Sequence, residues 1–212
     1  SSSSGGWLTW HENNANAPVP GFTTHHLNNQ ATSGSSSVHA ADIDSDGDID
    51  LVSCRQGNTP YIVWSENDGN ENFTAHTIPS SASGVTDVYA TDIDGDGDID
   101  ILSSYGWYEN DGNEFFTEHT GIGATSIHVA DVDGDGAPDV LASDRYGEEI
   151  GILLNDGSGG LVPGGSVLAV ECEANRIIIL EDLNGDGWVD LASSASAGAA
   201  VFLNLGEDST GN

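Results

Sequence analysis

The sequence predicts an all-β protein: a β-propeller built of four-stranded antiparallel blades, about four in this chain, with an acidic loop between the first two strands of each blade. Three observations predict it. The pattern D-x-[DN]-x-D-G-x-x-D begins at Asp42, Asp92, Asp131 and Asp182, with spacings of 50, 39 and 51 residues. Each copy lies between two short, apolar, β-branched runs, which read as the strands of a hairpin. An Asn-rich turn then follows at a fixed place in each period, and Asn-Asp-Gly marks tight turns because those residues tolerate positive φ.

The whole chain, 1–212, reads as one propeller domain, and its elements can be taken in order. Residues 5–27, GGWLTWHENNANAPVPGFTTHHL, match the third and fourth strands of a blade with no first or second before them. The first full blade, 37–78, runs SVHAADI, the loop, DLVS, IVWSENDGN and NFTAHTI. The second, 86–120, runs DVYATDI, DILS, GWYENDGN and FFTEHTG, and is shorter because SSYGW stands where the first has SCRQGNTPYIVW. The third, 126–168, contributes SIHVADV, DVLAS, GILLNDGSG and a divergent LVPGGSVL. A partial blade, 176–205, supplies IIILEDL, DLAS and AVFLN.

Carboxylates crowded at alternate loop positions repel, each close pair costing about 1 kcal/mol in water and about 4 at an intermediate dielectric. A cation is expected there. Hard oxygens around a glycine suit Ca²⁺, which accepts 6–8 oxygen ligands with a backbone carbonyl at the seventh loop position. The pattern assigns side-chain oxygens to Asp42, Asp44, Asp46 and Asp50 with the carbonyl of Asp48, and to Asp92, Asp94, Asp96 and Asp100 with that of Asp98. The third set is Asp131, Asp133, Asp135 and Asp139 with Ala137; the fourth is Asp182, Asn184, Asp186 and Asp190 with Trp188. About four ions are expected, and the fourth site, with the fewest charges, is expected to be the weakest. An EF-hand is excluded, because its bidentate glutamate at position twelve is here Ser53, Ser103, Ala142 and Ser193.

These loops and the W-x-E-N-D-G turns resemble the FG-GAP and VCBS repeats of integrin α-subunit propellers, fungal lectins and many bacterial surface proteins, over nearly the whole chain. The resemblance implies a propeller with Ca²⁺ loops between the first two strands of each blade. It implies no particular ligand, because that family serves adhesion, sugar binding and enzyme accessory roles, and fold alone does not give function.

Composition narrows the partners. There are 35 acidic and 3 basic residues, a formal charge of −32, and 17 of the acids lie in the four loops. Four divalent ions would offset only a quarter of that charge. Nucleic acid and anionic membrane surfaces demand basic patches, so both are excluded as partners. No apolar run approaches a membrane span, so membrane insertion is not expected. An extracellular or cell-surface setting, where calcium is millimolar, suits such loops. The absence of methionine and of a signal-peptide pattern predicts a processed N-terminus or a fragment. Cys54 and Cys172 are candidates for a disulfide or for two buried thiols, and Asn72-Phe73-Thr74 is a formal glycosylation sequon.

Catalysis is not expected. His25, His76 and His119 occupy one repeated place, F-T-x-H, and His39 and His128 another, where the other copies carry Tyr89 and Ile179. A side chain that recurs once per blade serves packing or hydrogen bonding. Nucleophile elbow, H-E-x-x-H and phosphate loop are all absent. Trp10, Trp64 and Trp107 head the W-x-E-N turns and are expected to pack between blades, whereas the off-pattern Trp7 and Trp188 are better candidates for a ligand contact.

Three functions fit. One is a structural or adhesive module that self-assembles head-to-tail into a filament by sharing terminal strands, since the two ends carry mismatched strand sets. A second is a lectin-like binder of extracellular glycan. The third is an accessory domain of a larger secreted polysaccharide-active enzyme.

Overall fold

The structure is a computed structural model and describes residues 8–13, 21–27, 35–55, 61–82, 84–143, 149–168, 178–195 and 198–202. Among them there is no helix, and hence none long and apolar enough to cross a membrane. Seventeen strands form one hairpin and four antiparallel sheets. The hairpin pairs β1 (Thr9–Asn13) with β2 (Phe22–His26).

Sheet 1 runs β3 (Ser35–Ala41), β4 (Asp50–Arg55), β5 (Tyr61–Asn67) and β6 (Phe73–Ile78), each strand paired with the next. Sheet 2 repeats this with β7 (Val88–Thr91), β8 (Asp100–Ser103), β9 (Gly106–Asn110) and β10 (Phe116–Thr120). Sheet 3 has β11 (Ser126–Ala130), β12 (Asp139–Ser143), β13 (Glu149–Asn155) and β14 (Leu161–Leu168). Sheet 4 holds three described strands, β15 (Ile178–Glu181), β16 (Asp190–Ala195) and β17 (Gly198–Phe202).

The first strands step against one another, β3 on β7, β7 on β11 and β11 on β15. This succession makes both faces of each middle sheet interior, so neighbouring residues on one strand enter different cores. Ile101 packs with Val52, Trp64 and Ile62 of sheet 1, whereas Leu102 packs with Ile127 and Val140 of sheet 3. Leu141, one residue beyond Val140, joins Ile150 and Leu191 toward sheet 4. Each fully buried aliphatic side chain of this kind contributes about 1.5–3 kcal/mol.

Polar bridges join the inner strands as well. One carboxylate oxygen of Asp87 accepts from Ser37 Oγ at 2.6 Å, and the other accepts from Ser126 Oγ at 2.8 Å and the Ile127 amide at 3.0 Å, tying sheets 1, 2 and 3 together. His39 Nδ1 accepts from the Ala90 amide at 3.2 Å, and its ring lies on Tyr89 with centroids 3.9 Å apart. Burial holds the His39 and His128 imidazoles below their ordinary pKa, opposed by the charge of Asp87.

The repeated tryptophans and histidines pack on one another. Trp64 stacks on His76 and Trp107 on His119, and each imidazole meets a glutamate, His76 with Glu66 at 2.7 Å and His119 with Glu109 at 2.8 Å. Trp10, His25 and Glu12 repeat the arrangement in the hairpin. Cys54 is a buried free thiol among the described residues; Cys172 lies outside them, as does Trp7.

Candidate metal centres

Each acidic loop closes a hairpin in the same register. Ala41 pairs with Asp50, Thr91 with Asp100, Ala130 with Asp139 and Glu181 with Asp190, so the residue before loop position one always faces position nine. The loop turns sharply at its sixth residue, where Gly47, Gly97, Gly136 and Gly187 have φ of 98°, 100°, 94° and 93°. Only glycine adopts that conformation without strain.

Position nine is the anchor. Asp100 is fully buried, and its two oxygens accept from the Ile93 amide at 2.9 Å and the Asn110 amide at 2.8 Å. Asp50 does the same with Ile43 and Asn67, Asp139 with Val132 and Asn155, and Asp190 takes the Leu183 amide. Position one shapes the turn: Asp42, Asp92, Asp131 and Asp182 each accept from the amide of the sixth-position glycine. Position five, Asp46, Asp96, Asp135 and Asp186, accepts from the position-seven amide of Asp48, Asp98, Ala137 and Trp188.

Three loops bring carboxylate oxygens within 4.8 Å of one another: Asp42, Asp44 and Asp50; Asp92, Asp94 and Asp96; Asp131, Asp133 and Asp139. Burial pushes Asp44, Asp50, Asp94 and Asp139 above the ordinary carboxylate range and Asp100 up to about 7. Carboxylates gathered and desolvated in this way call for a positive charge. A direct sign of the fit is Asp42 Oδ1, which is buried and has no hydrogen-bond partner. In the other loops the corresponding oxygen accepts from a glycine at position four, Gly95, Gly134 or Gly185; the first loop carries Ser45 there, at φ 61°. The donor set of aspartate oxygens around a tight turn therefore fits a hard divalent cation.

The fourth loop is different. Asn184 Nδ2 donates to Asp186 Oδ2 at 2.9 Å, Asp182 is exposed and lowered in pKa mainly by the Gly187 amide, and this loop forms no three-acid group. Trp188 is half-buried, and its ring crowds Gly134 of the third loop, where a Cβ would come within 2.5 Å. It packs between loops. Asp48 and Asp98 lay their carboxylates over the turn glycines Gly69 and Gly112, away from the three-acid groups.

The pattern of aspartates does not reveal the buried asparagines that brace the loops. Asn110 Nδ2 donates to Ile43 O of the preceding loop at 3.0 Å and to Ile99 O at 3.1 Å; Asn155 Nδ2 donates to Ile93 O at 2.7 Å and Pro138 O at 3.2 Å. Their signal is recurrence, since Asn67, Asn110 and Asn155 share one place in the period. Between sheets 1 and 2 lies a polar cleft of about 320 Å³, lined by Asp44, Asp98, Asn110, Asn113 and Glu114.

The family model for the FG-GAP-like repeat matches residues 42–103 and 131–193. Among solved structures, the chain is similar to the Vibrio cholerae biofilm matrix protein Bap1, with TM-score 0.56 and 25% identity over 89% of this chain and 31% of that one. It is also similar to an Agrocybe aegerita lectin described for specific recognition of non-reducing terminal N-acetylglucosamine, with TM-score 0.53 and 22% identity over 80% of this chain and 49% of that one. The chain thus spans about half of the lectin and a third of Bap1. No curated protein sequence matches it.

Proposed function

The chain belongs to the FG-GAP-like repeat family, and on that premise we propose that it is a non-enzymatic, calcium-stabilised adhesive module of the extracellular space or cell surface, its sheets arranged as propeller blades. The observation that carries the reading is the set of three carboxylate groups built on one hairpin register, with Asp42 Oδ1 left unpartnered in a buried position. Asp42, Asp44 and Asp50, Asp92, Asp94 and Asp96, and Asp131, Asp133 and Asp139 would hold the ions. Bound calcium would supply the positive charge that offsets the repulsion among these gathered carboxylates. The protein's own contribution is position: the ninth-position aspartate fixes the loop to its strand, the sixth-position glycine turns it, and in the first two loops the asparagine of the next sheet clamps it.

Adhesion rests on the chain's likeness to a biofilm matrix protein. Its repeated histidines His25, His76 and His119 are stacked on tryptophan and paired with glutamate, which fits a packing role. Self-association is part of the same reading, because β1 and β17 are unpaired sheet edges among the described residues and such edges invite strand addition. Retention of the chain on polysaccharide-coated beads in calcium, with release by chelator, is the expected result; a chain that stays in solution under both conditions contradicts it.

The cleft between sheets 1 and 2 favours a second reading, carbohydrate binding, because its amide and carboxylate groups suit sugar hydroxyls. Asn113→Ala should then abolish binding on a glycan array without changing the melting temperature. Array signals unaffected by that substitution would place any sugar elsewhere.

A further inference from the structure

Among the described residues, the sheets pack through a contact that is made twice and whose two halves lie open at two further places. Trp64 pairs with Val52 and Trp107 with Leu102, two residues after the anchoring aspartate, and each points toward the following sheet. There it meets the residue opposite the buried asparagine: Trp64 meets Phe116 edge-on at 6.4 Å, and Trp107 shares a core with Leu161. Trp64 and Trp107 are 1% and 6% exposed as a result.

Counting by the same registers, Val201 pairs with Ala192 and holds the tryptophan place in sheet 4, while Phe22 pairs with Asn13 and holds the Phe116 place in the hairpin. Both are open, Val201 at 58% and Phe22 at 69% exposure. The hairpin's other face is already engaged with sheet 1, since Trp10 stacks on His25 and His25 Nδ1 lies 3.6 Å from Glu71 Oε2. So the hairpin stands as the unit before sheet 1, with its backward face of Phe22, His11 and Thr24 exposed.

We propose that the Val201 face of one copy packs against the Phe22 face of a second copy, reproducing between chains the contact that Trp64–Phe116 and Trp107–Leu161 make within one. The two faces differ, so the contact is head-to-tail and propagates. It rests on the self-association reading but assigns the junction to face packing instead of strand addition. Copies carrying a formal charge of −32 repel, so calcium and salt strengthen the association.

The test is sedimentation of the chain in calcium, alone and as the Phe22→Asp and Val201→Asp variants, whose positions are exposed and whose melts serve as controls. The wild type is expected to grow with concentration, each variant to associate at least tenfold more weakly, and an equimolar mixture of the two variants to form dimers and stop, because one intact face of each remains. A mixture that stays monomeric overturns the proposal. Wild-type growth unchanged in both variants also overturns it and leaves self-association to the β1 and β17 edges. A wild type monomeric at every concentration, by closing its ring within one chain or by being covered by other segments, removes both.

Discussion

The side-chain amide of Asn110 donates to the main-chain carbonyl of Ile43 at 3.0 Å, joining residues 67 positions apart on different sheets. Asn155 makes the same bond to Ile93 at 2.7 Å. The first and second acidic loops are therefore each held in shape by the sheet that follows, so the geometry of the carboxylate groups and sheet-to-sheet packing are coupled through one buried amide.

Replacing Asn110 by alanine strips partners from Ile43 O and Ile99 O in a position only 2% exposed. Orphaned buried carbonyls cost roughly 1–3 kcal/mol each, so Asn110→Ala should lose about 3 kcal/mol in urea unfolding. Asn67, more exposed and bonded by its side-chain N–H₂ to Ile49 O alone among the described residues, should lose about 1 kcal/mol. Equal losses would uncouple the loops from their neighbours.

Asp94 belongs to a three-acid group, whereas Asn184 offers an amide whose N–H₂ already faces Asp186. Asp94→Ala should lower the calcium-dependent part of the melting temperature markedly, and Asn184→Ala should barely move it. Parallel calorimetric melts in calcium and in chelator separate the two.

Gly134 and Gly136 sit in one loop at φ 78° and 94°, but a Cβ would strike Trp188 only at the first. Gly136→Ala should cost the backbone strain alone, about 1–2 kcal/mol. Gly134→Ala should cost more and shift the Trp188 emission, because the indole has to move.

Burial raises Asp100 to about 7 and raises Asp50 and Asp139, so in calcium-stripped protein the folded state holds these protons more tightly than the unfolded chain does. Stability from a raised carboxyl is full below its unfolded pKa of about 4 and is lost as pH rises through the folded value. Stripped protein should therefore melt higher at pH 5 than at pH 8. Calcium-saturated protein should show the reverse, because the ion competes with the proton. Melts across that range check both signs.

Strands and loops were legible in the sequence because they recur: the hairpins of Asp42, Asp92, Asp131 and Asp182 share one register, and the Asn-Asp-Gly turns share another. The contacts between sheets were less so. Asp87 ties three sheets together but occurs once, so no periodicity singles it out. Trp188 reads as an off-pattern residue, and its packing on Gly134 is not legible because it depends on a ring at loop position seven reaching the preceding loop. Asn110 and Asn155 read as turn formers, since their reach to Ile43 and Ile93 depends on the stacking order of the sheets.

The most direct measurement is a calcium count by equilibrium dialysis, paired with melts of the same samples. The account predicts at least three ions per chain and a melting temperature that rises with calcium, each site at a hundredfold excess over its Kd adding about 2.7 kcal/mol. A chain that retains no calcium and melts at one temperature with and without it would contradict the claim that these carboxylate loops are built around a metal.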